Sequence, residues 1–315
     1  MKKKACLMLD SGAYSAWKKG IKINIDEYIK FVEDNREYID VYINLDVIDN
    51  GQASFDNWKY MRSCGLNPVP VYHASTDVKY LIKYLKEVDY IGIGGIVTWT
   101  RKQRLQSFDR LWSTYLVDFF GIPTHKVHAM GMTSLQLMLR YPWYSVDSTS
   151  WVLTGRFGSI FVPRYRNGEY IYDENSWKVC VSNRAADDSF QEGKHITTFS
   201  PMERDQILQY IHGKGYVLGK SEFRKESTSY KLKDREKWHG KEESDGQRTS
   251  KPNRGGYVKR GYAGERIVEI VIEEGISNDY KLRDEMNIIY FLDLEKFLPE
   301  WPWAFKRKTP KGFFV

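Results

Sequence analysis

Cysteine is scarce. The 315 residues hold three, Cys6, Cys64 and Cys180, spaced too widely for a disulfide framework or a Cys-x-x-Cys metal site. That scarcity points to a reducing, cytoplasmic setting. Long apolar runs are missing as well. Stretches such as 127–132 and 288–292 fall far short of the about 20 residues a membrane-spanning helix needs. The apolar stretch behind the basic start Met1-Lys2-Lys3-Lys4 stops at Asp10, too early for a secretory signal. No Gly-x-Gly-x-x-Gly opens a helix, because Gly92-Ile93-Gly94-Gly95-Ile96 continues as a β-rich run. The sequence therefore asks for no nucleotide cofactor. It has no internal repeat.

Positive charge and aromatic residues are abundant. Lys and Arg number 48 against 41 Asp and Glu, a net +7, and aromatic residues make up 15% of the chain. Residues 214–260 hold 14 Lys/Arg against 7 Asp/Glu, an excess equal to the whole net charge. Tyr230, Trp238 and Tyr257 are interleaved with these cations, a composition that suits a polyanion with stackable bases. The plainer alternative is a solvated charged loop.

The first half alternates short apolar runs with segments of helical period. Strands are predicted at 6–10, 41–47, 68–73, 90–95, 126–130 and 143–147, and helices at 26–35, 55–64, 77–87, 101–120 and 134–141. Strands separated by helices imply parallel β/α units, and such uniformly apolar strands are buried on both faces. Asp10, Asp46, His73, Gly94-Gly95, Met130-Gly131 and Asp147 all fall at the C-terminal ends of successive strands. That edge carries the sites of (β/α)8 barrels, so a TIM-type barrel is preferred to a doubly wound sheet. Further on, strands are predicted at 159–163, 178–182, 265–273 and 287–294, and a helix at 201–211 with Ser200 as its N-cap. The expected division is a barrel over 1–215, a basic insertion over 216–260 and a small α+β segment with a basic tail over 261–315.

A single aspartate after a strand is most often a helix cap, and Asp49 reads as a turn residue. Three acids converging on one rim, Asp10, Asp46 and Asp147, can do more. Two carboxylates facing a sugar can serve as nucleophile and general acid/base at an anomeric carbon.

The run Asp10-Ser11-Gly12-Ala13-Tyr14 resembles the Asp-Ser-Gly-Gly-Phe/Tyr motif of the tRNA-guanine transglycosylases. Asn44-Leu45-Asp46, Ile93-Gly94-Gly95-Ile96, Ala129-Met130-Gly131 and Ser145-Val146-Asp147 with Gly155-Arg156-Phe157-Gly158 follow in that family's order. The resemblance covers roughly residues 5–185. It implies a TIM barrel that exchanges guanine in a nucleic acid for a 7-deazaguanine such as the 7-cyano base, without a cofactor. Asp147 would then be the nucleophile and Asp10 the acid/base. Tyr14, Ser11, Asp46, His73, Gly94, Gly95, Met130 and Gly131 would form the base pocket.

The departures from the family are specific. The tRNA enzymes hold zinc in a cysteine-rich site after the barrel, and here only Cys180 lies beyond residue 64, so no metal is expected. His73 stands where the family has a glutamine. The strand preceding Asp-Ser-Gly is missing, so the barrel is expected to be trimmed or irregular at closure. A zinc-free, shortened form is similar to the DNA-directed branch found in DNA-modification systems and bacteriophages, which would act in the host cytoplasm. DNA is thus the expected acceptor, gripped by Arg156, Arg224, Lys225, Lys231, Lys233, Arg254, Lys259 and Arg260 and by the tail 306–311. A tRNA acceptor, an N-glycoside hydrolase and a non-catalytic nucleic-acid-binding barrel are the alternatives. Elsewhere His128 reads as a satisfied core histidine, and Trp17 and Trp151 as packing residues with stacking on a neighbouring nucleotide as the alternative, while His212 and His239 carry no role.

Overall fold

Parallel pairing in sequence order organises the first half of the chain. In the computed structural model, which describes residues 6–96, 99–132, 134–185, 187–239 and 265–306, β1 (Met8–Leu9) pairs with β2 (Val41–Tyr42). A parallel bridge between Ile43 and Val69 leads on to β3 (Val71–His73). From there β3, β4 (Tyr90–Gly94), β5 (Lys126–Ala129) and β6 (Ser145–Val146) form one parallel sheet in that order. Fully buried Asn44 knits the junction. Its Oδ1 accepts the Val71 N–H at 2.9 Å and its Nδ2 donates to the Ser54 carbonyl at 3.2 Å, so side-chain bonds replace ladder bonds where the strands splay.

Helices α1 (Ala13–Lys19), α2 (Ile25–Asp34), α3 (Gly51–Ser63), α4 (Lys79–Leu85), α5 (Arg101–Leu111) and α6 (Leu135–Arg140) alternate with these strands. Their starts are written locally. Asn24 accepts the Asp26 and Glu27 N–H groups at the head of α2, Asn50 accepts that of Ala53 in α3, and Thr100 with Gln103 forms a capping box on α5. One stripe of each long helix is buried: Tyr28, Ile29 and Val32 on α2; Ser54, Trp58 and Met61 on α3. A π-turn over Trp112–Leu116 ends α5 and turns Trp112 into the core, where it meets Tyr141, Trp143 and Phe305.

The chain forms two compact units, Met1–Thr149 with Leu298–Val315, and Ser150–Phe297. This differs from the expected division at 215. The returning segment belongs to the first unit because Phe305 donates its N–H to the Gly121 carbonyl at 2.7 Å and Trp301 donates to that of Pro142 at 3.1 Å. Gly121, at φ +81°, has to be glycine, since a Cβ there would come 2.7 Å from the Phe305 carbonyl oxygen.

In the second unit α7 (Ser150–Arg156) precedes β7 (Ser159–Val162), which pairs antiparallel with β10 (Trp177–Cys180). The hairpin of β8 (Arg164–Arg166) and β9 (Glu169–Ile171) turns through Asn167 and Gly168, both at positive φ. Helix α8 (Pro201–Gly213) starts at the expected N-cap, Ser200, through a capping box with Glu203. Strands β11 (Lys220–Ser227), β12 (Glu236–Trp238) and β13 (Glu265–Glu273) form an antiparallel sheet with β13 in the middle. The basic segment is therefore not an insertion over its described part, because two of its stretches are strands paired to β13.

The strand expected at 287–294 is instead part of α9 (Tyr280–Phe297). Its buried residues Arg283, Met286, Asn287, Tyr290 and Leu294 follow helical spacing, while Ile288 and Leu292 are exposed. Asn287 fixes α9 against β7 by accepting the Phe161 N–H at 2.9 Å and donating to the Trp151 and Ser159 carbonyls. Among the described residues no helix is long and apolar enough to cross a membrane.

Candidate active site

The C-terminal ends of the parallel strands bring two carboxylate clusters to one edge. The first is centred on buried Asp46. Its Oδ1 accepts the Ser11 hydroxyl at 2.7 Å, and its Oδ2 lies 2.8 Å from His73 Nε2. The backbone N–H of Asp49 donates to His73 Nδ1 at 3.0 Å. Nδ1 is thus an acceptor, which assigns the ring as the neutral tautomer whose Nε2–H donates to Asp46. His73 is used up in this way. It orients Asp46 rather than offering a free edge of its own.

Asp147 anchors the second cluster, immediately after β6. Its Oδ1 accepts the Gly131 N–H at 2.6 Å and lies 3.3 Å from His128 Nε2. Behind it His128 Nδ1 meets Ser145 Oγ at 2.7 Å, and Ser145 Oγ meets Tyr90 Oη at 2.6 Å. A carboxylate only accepts, so Nε2–H donates to Asp147, and Ser145 and Tyr90 extend the chain behind the ring. Burial pushes the Asp147 carboxyl up, but the His128 and Gly131 bonds outweigh it and hold the group below the usual aspartate range.

Asp10 goes the other way. It remains open to solvent, yet the protein around its carboxyl, and then the charges of Asp46 and Asp147, raise its pKa against the lowering pull of the Ser11 and Gly12 N–H groups. Two acids at one rim are therefore driven apart, one towards the protonated form and one towards the carboxylate. An acid and a nucleophile require that separation.

Glycines shape the space between the clusters. A Cβ on Gly95, at φ +73°, would come 2.9 Å from His73 Cβ, and one on Gly94 would touch Met130 and His73. The Gly94, Gly95 and Met130 backbone thus lies close to the His73 side of the rim, and Gly131 joins it to Asp147. Tyr14 projects from α1 and stacks on Trp17 at 6.0 Å between ring centroids. Trp17 is 54% exposed, which overturns its assignment as a packing residue.

Of the expected phosphate-binding residues, Arg156, Arg224, Lys225, Lys231 and Lys233 lie in the second unit. Arg156 is exposed at the end of α7. Arg224 is engaged by Glu226 and Glu236 and by the Tyr230 hydroxyl, while Lys225, Lys231 and Lys233 are exposed. Arg254, Lys259 and Arg260 lie outside the described residues, as does the tail beyond Lys306.

Sequence reasoning missed the Tyr90–Ser145–His128 chain. A signal was present: His128 has the parity of Met130 on β5, and Ser145 that of Asp147 on β6, so all four lie on the face of the rim residues. Among the described residues no three His, Cys, Asp or Glu side chains are grouped to hold a metal ion. No protein-family model, curated protein or solved structure matches the chain.

Proposed function

We propose that this chain is a base-exchange transglycosylase that replaces guanine in DNA with a 7-deazaguanine through a covalent aspartyl-glycosyl intermediate. The observation that carries the reading is the opposed tuning of Asp10 and Asp147 on one strand edge. The motif order supplies the choice of base, and the basic composition of the second unit supplies the choice of acceptor.

The reading includes closure of the parallel strands into an irregular (β/α)8-type barrel. Two observations support it. The strands run in sequence order without the reversal of a doubly wound sheet. In addition, Asp10 after β1 senses the charge of Asp147 after β6. Six strands laid flat would put those ends roughly 24 Å apart at about 4.8 Å per interval, so the coupling calls for a curled rim.

In the first step Asp147, with Oδ1 held by Gly131 and His128, attacks C1′ through Oδ2. The bond from C1′ to guanine N9 breaks, and Asp10 gives its proton to the departing base. In the second step Asp10 takes the proton from N9–H of the incoming 7-deazaguanine. That nitrogen then attacks C1′ and releases the Asp147 carboxylate. Protons and charges balance over the two steps. Asp46 presents acceptor oxygens to the donor edge of a guanine-type base, and Tyr14 offers a ring to its face. His73 and Ser11 keep Asp46 in place.

The test offers guanine-containing DNA and tRNA side by side with labelled 7-cyano-7-deazaguanine. Label entering DNA, and a heat-stable protein–DNA adduct lost in Asp147→Ala, is the expected result. Label in tRNA alone would move the acceptor, and abasic sites without label would make the enzyme a hydrolase. An intact fold that labels neither polymer would overturn the reading.

A further inference from the structure

Helix α1 carries two aromatic rings just past Asp10 that the core does not take in. Tyr14 is 41% and Trp17 54% exposed, and their planes lie 30° apart as a stacked pair. Rings retained for packing look different: Trp58 and Trp112 are fully buried. The charged residues next to the pair in the chain are cationic. Lys18, Lys19 and Lys22 are exposed, and no Asp or Glu occurs between Ser11 and Asn24. Planar rings flanked by cations at a carboxylate rim match a nucleotide, whose base covers a ring while its phosphate meets the lysines. A protein partner is matched less well, since interface cores are depleted in lysine.

Building on the exchange reading, we infer that Trp17 stacks on the base next to the exchanging guanine, with Lys18, Lys19 and Lys22 along the adjoining phosphates. The acceptor is then engaged as an opened or single-stranded segment. Its orphaned neighbour base finds a ring in place of the one that left the stack. Trp17 thus acts on the polymer and has no part in the bond changes at C1′.

Binding separates this inference from the chemistry. Fluorescence anisotropy is read on the full chain carrying Asp147→Asn, with a labelled single-stranded oligodeoxynucleotide that holds one guanine. Companion oligonucleotides carry an abasic residue on one flank or the other. One abasic flank is expected to weaken binding by about tenfold. Trp17→Ala should cost the intact oligonucleotide a similar factor and then be indifferent to that abasic flank, whereas Trp17→Phe keeps most of the affinity and serves if the alanine variant fails to fold. Losses that multiply, or an oligonucleotide affinity blind to both changes, would overturn the inference while leaving Asp147-dependent exchange standing. Absence of any adduct in the wild-type protein would remove the exchange reading without touching the stacking result.

Discussion

Burial, then the charge of Asp46 and then that of Asp147 raise the pKa of Asp10, although Asp10 and Asp147 stand after the first and the last of six parallel strands. Asp147 answers to other groups: burial pushes its carboxyl up, and the His128 and Gly131 bonds outweigh that and favour the carboxylate. Each acid thus depends on a different neighbourhood for its protonation state, and the two neighbourhoods can be altered separately.

The pH dependence of adduct formation follows from those directions. The first step needs Asp147 ionised and Asp10 protonated. Single-turnover rates should fall on the acid side through the lowered pKa of Asp147 and on the alkaline side through the raised pKa of Asp10. Asp10→Asn is expected to slow the step by about 10²–10⁴-fold and to flatten the alkaline limb. An unchanged alkaline limb would assign the proton to another group.

Stability should respond to the same two residues with opposite signs. Folded Asp10 binds its proton more tightly than the unfolded chain does, so it lowers stability as pH rises above about 3.8, the ordinary value, through the raised one. Asp147 contributes stability above its unfolded pKa, and that contribution is lost as pH falls through its depressed folded value. At pH 7–8 Asp10→Asn should raise Tm and Asp147→Asn should lower it, each by about 1–3 °C in thermal scans. Shifts of the same sign would contradict the assigned environments.

His128 can be tested without removing either acid. His128→Phe deletes the donor to Asp147 and removes the ring partner of Ser145, which should cost about 10–100-fold in adduct formation. The acid limb should move upward, towards that of an ordinary aspartate. His128→Gln, which can still donate, should recover part of both. A rate loss with no movement of the limb would mean that His128 only fills space.

Gly95→Ala forces a Cβ to 2.9 Å from His73 Cβ at a left-handed backbone position. The expected cost is about 1–3 kcal/mol in urea unfolding. Affinity for the free 7-deazaguanine should fall with it, because His73 holds Asp46. Full affinity in a destabilised variant would uncouple the glycine from the base site.

Salt dependence separates the basic residues. Replacing Lys225, Lys231 and Lys233 by Gln should flatten the slope of log K against log salt by about 0.7–0.9 for each phosphate no longer neutralised. Arg224→Gln should leave the slope alone and loosen the tie between the edge strands β11 and β12, since Glu226 and Glu236 already engage its guanidinium. A slope that responds to Arg224 and ignores the lysines would reverse the assignment.

The alternation of strands and helices is legible in the sequence, because interior strands such as Ile91 to Gly94 tolerate little but apolar or tiny residues. The strand-end acids are legible for the same reason, each being the first charge after an apolar run. The His128 chain is not, since its partners lie on neighbouring strands and only face parity links them. The run at 287–294 misleads because its apolar residues are nearly continuous. Its true period emerges only when Arg283 and Met286 are included. Gly155 weakens the helical signal of α7, yet Asp284 of α9 lies against that glycine, leaving no room for a Cβ.

The late return of the chain has a consequence for biosynthesis. Tyr141 and Tyr144 wait for Phe305 and Trp301, which emerge from the ribosome some 160 residues later. At about 5–20 residues per second that is roughly 8–30 s during which one aromatic wall of the nascent unit is uncovered. The unit that bears the acids is therefore completed last, and a nascent chain halted after Thr149 presents chaperones with a surface the finished protein hides.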